Sequence, residues 1–114
     1  MKGKIIMKKD NRNDYGNHEL FDNILNKAVG ITLRKLRIEK GFTQGDLIKK
    51  MNNIITEPTL SKYESGKSKV RMHIFLEFAK AFKMTPQELI DTINDTYLDE
   101  IKKNIKGIEE YYDL

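Results

Sequence analysis

The apolar residues of this 114-residue chain recur at helical spacing in five stretches, separated by polar or turn-forming residues. In the first stretch Asn17 is suited to cap a helix, but Gly30 interrupts the pattern, so one long helix or two short helices are both compatible with it. Gly41 ends the stretch in the manner of a glycine that follows a helix. The apolar positions of this first stretch are Leu20, Phe21, Ile24, Leu25, Ala28, Leu33 and Leu36.

Three of the four remaining stretches begin at a threonine, whose side-chain oxygen can cap a helix N-terminus. Thr43 opens the second helix, Thr56 the third and Thr85 the fifth, where a proline and then Glu88 complete the pattern of a capping box. The fourth helix follows a basic loop at Lys67–Arg71. The apolar positions of these four helices are Leu47, Ile48, Met51, Leu60, Tyr63, Ile74, Phe75, Phe78, Ala79, Phe82, Leu89, Ile90 and Ile93.

No segment alternates apolar and polar residues over the length of a strand, so the pattern predicts an all-α protein. We divide the chain into a flexible basic tail (residues 1–17), a domain of five helices (residues 18–93) and an additional C-terminal helix (residues 94–114). The apolar residues of this last helix have the spacing of a short coiled-coil seam: Leu98, Ile101, Ile105, Ile108 and Tyr112. The seam favours a homodimer, and the alternative is that the same residues pack against their own domain.

The net charge of +4 is unevenly distributed. Residues 28–90 carry twelve basic and six acidic side chains, whereas residues 91–114 carry three basic and seven acidic ones. A basic middle suggests contact with a polyanion, although scattered surface lysine would give the same balance. The chain has no cysteine, no bilayer-length apolar run and no secretory signal at its start, so we expect a cytoplasmic protein without disulfides or membrane contact.

Between Gly30 and Ile90 the order of residues resembles the Cro and phage-repressor family of helix-turn-helix proteins, also called the Xre family. The matching residues are Leu33, Arg34, Arg37, Gly41, Phe42, Thr43, Gln44, Leu47, Thr56, Leu60, Ser61, Glu64, Ser65, Gly66, Leu76, Ala79, Phe82, Met84 and Leu89. The resemblance implies a domain like that of lambda repressor and a transcriptional regulator, by default a repressor. It also implies binding to double-stranded DNA at a palindromic operator, with the third helix (about residues 56–64) in the major groove.

The resemblance and the helix positions together assign candidate DNA contacts. Thr43, Gln44 and Thr56 stand at helix starts, where backbone N–H groups favour a phosphate, and Gln44 is similar to a family glutamine that hydrogen-bonds a phosphate. The outward face of the third helix, where the family reads bases, carries Glu57, Pro58, Ser61 and Lys62. The family's phosphate-binding loop corresponds to Lys67, Lys69 and Arg71. Each of these side chains could instead be an ordinary solvated surface residue.

Arg37 and Glu64 resemble a family pair that forms a partly buried salt bridge between the first and third helices. Three positions depart from the family pattern. The connection at Asn52–Ile54 is about two residues longer than usual, Ile48 replaces a small residue, and Val70 stands where a proline often occurs. The first two departures could alter how the third helix is presented to DNA.

Catalysis is the alternative function that we considered beside DNA binding. His18 and His73 are not spaced as metal ligands beside a carboxylate, and there is no glycine-rich phosphate loop. We therefore predict no catalytic residue, no metal, no cofactor and no small-molecule ligand. The closer alternative is a protein-binding module, such as an antitoxin or an adaptor that reuses the helix-turn-helix fold. Steep salt dependence of DNA binding would separate a DNA-binding protein from such a module.

Overall fold

The computed structural model describes the backbone of residues 11–105 and the side chains of residues 19–105. This range contains five α-helices and no strand, as the all-α prediction requires. They are α1 (Asn11–Glu39), α2 (Gln44–Lys50), α3 (Glu57–Glu64), α4 (Met72–Ala81) and α5 (Pro86–Lys103). No helix in this range is both long enough and apolar enough to cross a membrane.

The first helix is one continuous element of 29 residues that runs through Gly30. It begins at Asn11, so the cap predicted at Asn17 is wrong, and residues 11–17 of the predicted tail are helical. The error has a physical reason, because the sequence of residues 11–17 has no apolar residues at helical spacing that would mark a helix. Residues 1–10 of the predicted tail lie outside the described residues.

All three predicted threonine caps are present. Thr43 and Asp46 form a reciprocal capping box, and so do Thr85 and Glu88. Thr56 accepts a hydrogen bond from the backbone N–H three residues later, at 3.3 Å. Each of these side chains satisfies a donor that a helix N-terminus leaves without a partner, so the starts of α2, α3 and α5 are fixed by the sequence.

Four helices end in a Schellman motif, in which a residue in the left-handed conformation follows the helix. The residue after it then donates its backbone N–H to a carbonyl five positions back, as Phe42 does to Arg37 at 3.0 Å. The left-handed residues, with their φ values, are Gly41 (75°), Asn52 (58°), Gly66 (76°) and Lys83 (59°). The predicted glycine stop at Gly41 is confirmed, whereas nothing in the sequence pattern identified Lys83 as a stop.

Residues from all five helices meet in one buried core. Phe78 of α4 is fully buried in this core, with its ring edge-on to Tyr63 and stacked on Phe82, each at a centroid distance of 6.1 Å. Aromatic pairs in these geometries add to the free energy gained by burial alone. Two residues of the predicted apolar faces, Leu25 and Ile90, are nevertheless exposed.

The additional C-terminal helix predicted from residue 94 is not a separate element as far as the structure describes it. Instead, α5 runs without a break to Lys103. The predicted boundary stood where the family resemblance ends, and no glycine or proline between Pro86 and Gly107 breaks the helix. The second half of α5 lies along α1, where the Thr32 hydroxyl donates to the Thr96 hydroxyl at 3.0 Å.

Glu100 is the buried charge of this α1–α5 contact. Its carboxylate forms ion pairs with Lys27 of α1 at 3.3 Å and with Lys103 at 3.2 Å. Burial raises the pKa of Glu100, but the interactions with Lys103 and Lys27 outweigh burial and hold the pKa below its ordinary value. Along this stretch α5 therefore packs against its own domain through Thr96 and Glu100, which are not residues of the predicted dimerisation seam.

Candidate nucleic-acid interface

The helix-turn-helix unit consists of α2, α3 and the connection of six residues between them. Met51 and Ile55 are buried at the two ends of this connection, while Asn52, Asn53 and Ile54 are exposed. Both asparagines have positive φ, 58° and 59°, a conformation that asparagine adopts more readily than most residues. The extra length predicted from the sequence thus projects outward, and the buried ends keep α3 anchored to the core.

The two sides of α3 differ sharply in burial. Leu60 and Tyr63 are buried in the core. The opposite face carries the four predicted base-reading residues, all exposed: Glu57, Pro58, Ser61 and Lys62. Their spacing of one and four positions places them on one side of the helix, which is available to a ligand along its whole length.

Arg37 and Glu64, which the sequence paired, form a bidentate salt bridge. The Arg37 Nε and Nη2 atoms donate to the two Glu64 oxygens at 2.7 and 3.0 Å, and Nη1 donates to the Phe42 carbonyl at 3.0 Å. The two side chains are only 12% and 7% exposed. The hydrogen bond to Glu64 raises the pKa of Arg37, although burial opposes it. This pair ties the C-terminal end of α3 to α1.

Gln44 extends the same network to α2. Its side-chain nitrogen donates to Ser61 Oγ and to Glu64 Oε1, both at 3.2 Å. In this structure the amide of Gln44 bridges α2 and α3, and its contact with a phosphate stays a prediction. The network of Arg37, Glu64, Gln44 and Ser61 thus joins three helices and fixes the orientation of α3.

The predicted phosphate-binding loop lies between α3 and α4. Lys67, Lys69 and Arg71 are all exposed. Lys69 forms an ion pair with Asp22 of α1 at 3.1 Å, and both side chains face solvent. Within the described part of the chain, Lys67 and Arg71 have no ion-pair partner. The loop therefore presents two free cations and a third that is only weakly held.

Two glycines contribute to the site in a way that sequence reasoning missed. A Cβ on Gly30 would lie 2.5 Å from the Tyr63 carbonyl oxygen and 2.6 Å from that of Glu64, so only glycine lets α1 cross α3 this closely. A Cβ on Gly66 would lie 3.1 Å from the Lys27 Cα. The sequence did hold a sign that Gly30 faces α3: Gly30 lies seven residues before Arg37, so the two residues share one face of the helix.

The predicted dimerisation seam divides into three parts. Leu98 and Ile105 are exposed, each at 49%, and Ile101 is half-buried. Ile108 and Tyr112 lie outside the described residues. Leu98 on α5 and Ile105, two residues beyond its end, thus present apolar surface beside a helix that is otherwise packed on its own domain.

Residues 33–89 match the family model described as Helix-turn-helix, of the Cro and phage-repressor type. Among solved structures, the chain is similar to the crystal structure of the clp gene regulator ClgR from Corynebacterium glutamicum. That similarity has a TM-score of 0.61 and 20% sequence identity, and it covers 76% of this chain and 92% of the other. At this identity it establishes the fold alone. A search of curated proteins by sequence found no match.

Proposed function

The chain belongs to the helix-turn-helix family of the Cro and phage-repressor type, and on that premise we propose that it is a DNA-binding transcriptional regulator that inserts α3 into the major groove. The observation that carries the proposal is the exposed face of α3 with Glu57, Pro58, Ser61 and Lys62. A major groove admits one helix, and each base pair presents a distinct pattern of donors, acceptors and methyl groups there.

The bracing of α3 supports the same role. A helix that reads base edges must keep its angle, since small displacements lose the hydrogen bonds that discriminate between bases. Arg37 and Gln44 hold the C-terminal half of α3 through Glu64 and Ser61. Thr56 holds its first turn by capping. Both ends of the reading helix are thus fixed before any ligand binds.

We assign phosphate contacts to the flanks of α3. Lys67, Lys69 and Arg71 lie on one side, and the capped helix starts at Thr43 and Thr56 offer backbone N–H groups. The ion pair between Lys69 and Asp22 does not argue against this role. An exposed pair is worth about 1 kcal/mol or less, so a phosphate readily replaces the carboxylate.

Repression at a palindromic operator by a homodimer is the finer form of the proposal. One domain of this size covers a single short half-site, and a two-fold dimer reads two half-sites about one helical turn apart. The exposed Leu98 of α5 and the exposed Ile105 beyond its end are suitable for a symmetric contact. Repression needs no activating surface, only occupancy of a promoter. Action on DNA also fits the cytoplasmic localisation expected from the sequence and calls for no catalytic group.

A second candidate is a protein-binding module, such as an antitoxin or an adaptor. It is favoured by a cleft of about 300 Å³ between α1, α4 and α5 that is lined mainly by apolar side chains, including Leu25, Phe75 and Ile90. A partner that filled this cleft would bury surface that the isolated chain leaves exposed. Lys69, an assigned phosphate contact, also lines this cleft, so a partner that filled it would compete with that contact but would leave the exposed face of α3 free.

Selection of bound duplexes from a random library tests the proposal directly. We expect a palindromic consensus and an affinity that falls steeply between 50 and 200 mM salt, because binding to phosphates releases counterions. Complex formation that is insensitive to salt and requires only a protein partner would favour the second candidate. Failure to enrich any duplex at low salt would contradict DNA binding.

A further inference from the structure

A polar cleft of about 280 Å³ lies where α1, α2 and α3 meet, beside the exposed face of α3. It is lined by Arg34, Arg37, Gln44, Ser61, Glu64 and Ser65. Four of these residues form the network that braces α3. Arg34 and Ser65 do not belong to that network, and the proposed function gives them no role.

The position of Arg34 follows from the close crossing of α1 and α3. Gly30, Arg34 and Arg37 are spaced four and three residues apart, so they share one face of α1. Gly30 allows that face to approach the carbonyl groups of Tyr63 and Glu64 at the end of α3. The next turn of α1 then places Arg34 at the cleft, with Arg37 one turn further along.

The charges of the cleft leave Arg34 uncompensated. Arg37 and Glu64 neutralise each other through their bidentate pair. Arg34 is exposed, and it has no hydrogen-bond or ion-pair partner among the side chains that the structure describes. The cleft is therefore a site of net positive charge with a free guanidinium and two serine hydroxyl groups, Ser61 and Ser65, on its lining.

We propose that this cleft binds one backbone phosphate of the DNA strand that borders the groove occupied by α3, with Arg34 as the principal ligand. The inference rests on the proposed function and adds a contact to it. A planar guanidinium with five donors matches the geometry of a phosphate better than a lysine ammonium does. Ser61 lines the cleft and also belongs to the exposed face of α3, so a phosphate held here lies at the edge of the groove that α3 reads.

The test compares Arg34→Gln with Lys35→Gln, which removes the same charge from the neighbouring exposed residue of α1, outside the cleft. Binding to the selected duplex is measured across a salt series. We expect Arg34→Gln to weaken binding about tenfold or more at low salt. It should also reduce the slope of log affinity against log salt by about 0.9, the value for one phosphate contact. The base consensus should not change, and Lys35→Gln should retain the slope of the parent.

A second measurement locates the phosphate. Single phosphates of the duplex are replaced by uncharged methylphosphonates, and each substitution is combined with Arg34→Gln. One position should weaken the parent protein but have little further effect on the variant. Equal effects of Arg34→Gln and Lys35→Gln, or the absence of any coupled position, would overturn the cleft assignment while leaving groove binding by α3 intact. A parent protein that binds no duplex would instead overturn the proposed function, and with it this contact.

Discussion

The two contacts of α1 with other helices each bury one glutamate, but they hold it differently. At the crossing with α3, Arg37 donates two hydrogen bonds to Glu64, and both side chains are largely buried. Along α5, Glu100 is paired with Lys27 and Lys103, whose side chains are 61% and 70% exposed. An arginine fork fixes both distance and orientation, whereas a lysine ammonium is a point charge on a flexible stem.

This difference matches the roles that we propose for the two helices. Under the proposed function α3 holds a fixed angle to read base edges, and the Arg37–Glu64 pair is extended to α2 by Gln44. α5 needs only to remain on α1, and the ion pairs of Glu100 fix its position less strictly. We infer that geometric accuracy is concentrated at the α1–α3 crossing and that the α1–α5 contact contributes mainly stability.

Glu64→Ala should have the largest effect on stability. Removing the carboxylate leaves Arg37 as a buried charge without its partner, which costs roughly 3–5 kcal/mol in the free energy of unfolding. Urea denaturation measures the change. Glu77→Ala is the control, because Glu77 pairs with the exposed Lys80 on the surface of α4 and should lose about 1 kcal/mol or less. If both variants lose the same free energy of unfolding, the Arg37–Glu64 pair contributes no more than a surface pair, and the prediction is contradicted.

Glu100→Gln should cost less, roughly 1.5–3 kcal/mol at neutral pH, through the loss of hydrogen-bonded charge interactions. The folded protein holds the pKa of Glu100 below its ordinary value of 4.5. Its carboxylate therefore stabilises the fold fully above about that pH, and the contribution is lost as the pH falls through the lowered pKa. Unfolding at several pH values should show parent and variant converging in acid. A difference that stays constant down to low pH would contradict the assignment to this group.

Gly30→Ala tests whether the close approach of α1 and α3 is needed. The added methyl group would meet two backbone carbonyl oxygens, so the helices must separate, at a cost of roughly 1–3 kcal/mol. Gly45→Ala is the matched control, since a Cβ there would be 3.5 Å from the nearest atom, which belongs to the Glu57 side chain. We expect Gly30→Ala to lose DNA affinity as well as stability and Gly45→Ala to retain its stability. If both variants unfold like the parent, the crossing is not tightly constrained.

Charged residues in place of Leu98 on α5 and Ile105 beyond its end should have the smallest effect on stability. Leu98→Lys combined with Ile105→Lys changes two exposed side chains, and we expect the free energy of unfolding to stay within about 0.5 kcal/mol once self-association is removed. Sedimentation should change from dimer to monomer, and affinity for a full palindrome should fall. A double variant that still sediments as a dimer would place the interface elsewhere, and the exposed Leu25 and Ile90 would be the next surface to test.

The sequence predicted those features of the fold that depend on neighbouring residues. The threonine caps and the stop at Gly41 each require only a few consecutive side chains and were correct. The start of α1 at Asn11 was missed because a polar helix has no apolar period. The continuation of α5 was missed because the boundary was taken from the family resemblance rather than from a helix-breaking residue.

The candidate site was predictable as a set of residues, and one of its contacts, the Arg37–Glu64 salt bridge, was predicted as well. The family resemblance indicated Arg37, Glu64 and Gln44, whereas the structure adds that Gln44 bridges to Ser61 and Glu64 rather than pointing freely outward. The role of Gly30 depends on a carbonyl more than thirty residues away, and helical periodicity carries no information about that distance. Apart from the Arg37–Glu64 pair, contacts between distant segments were therefore the part that required the structure.

The most direct test of the account is the consensus selected by Lys62→Ala compared with that selected by Lys69→Ala. Lys62 lies on the exposed face of α3 and Lys69 in the loop that follows it. We predict that Lys62→Ala changes the preferred base at one position of each half-site, because a base-edge contact contributes roughly 1–3 kcal/mol of discrimination. Lys69→Ala should weaken binding to all sequences alike and keep the consensus. An unchanged consensus for Lys62→Ala would contradict the claim that this face of α3 reads DNA.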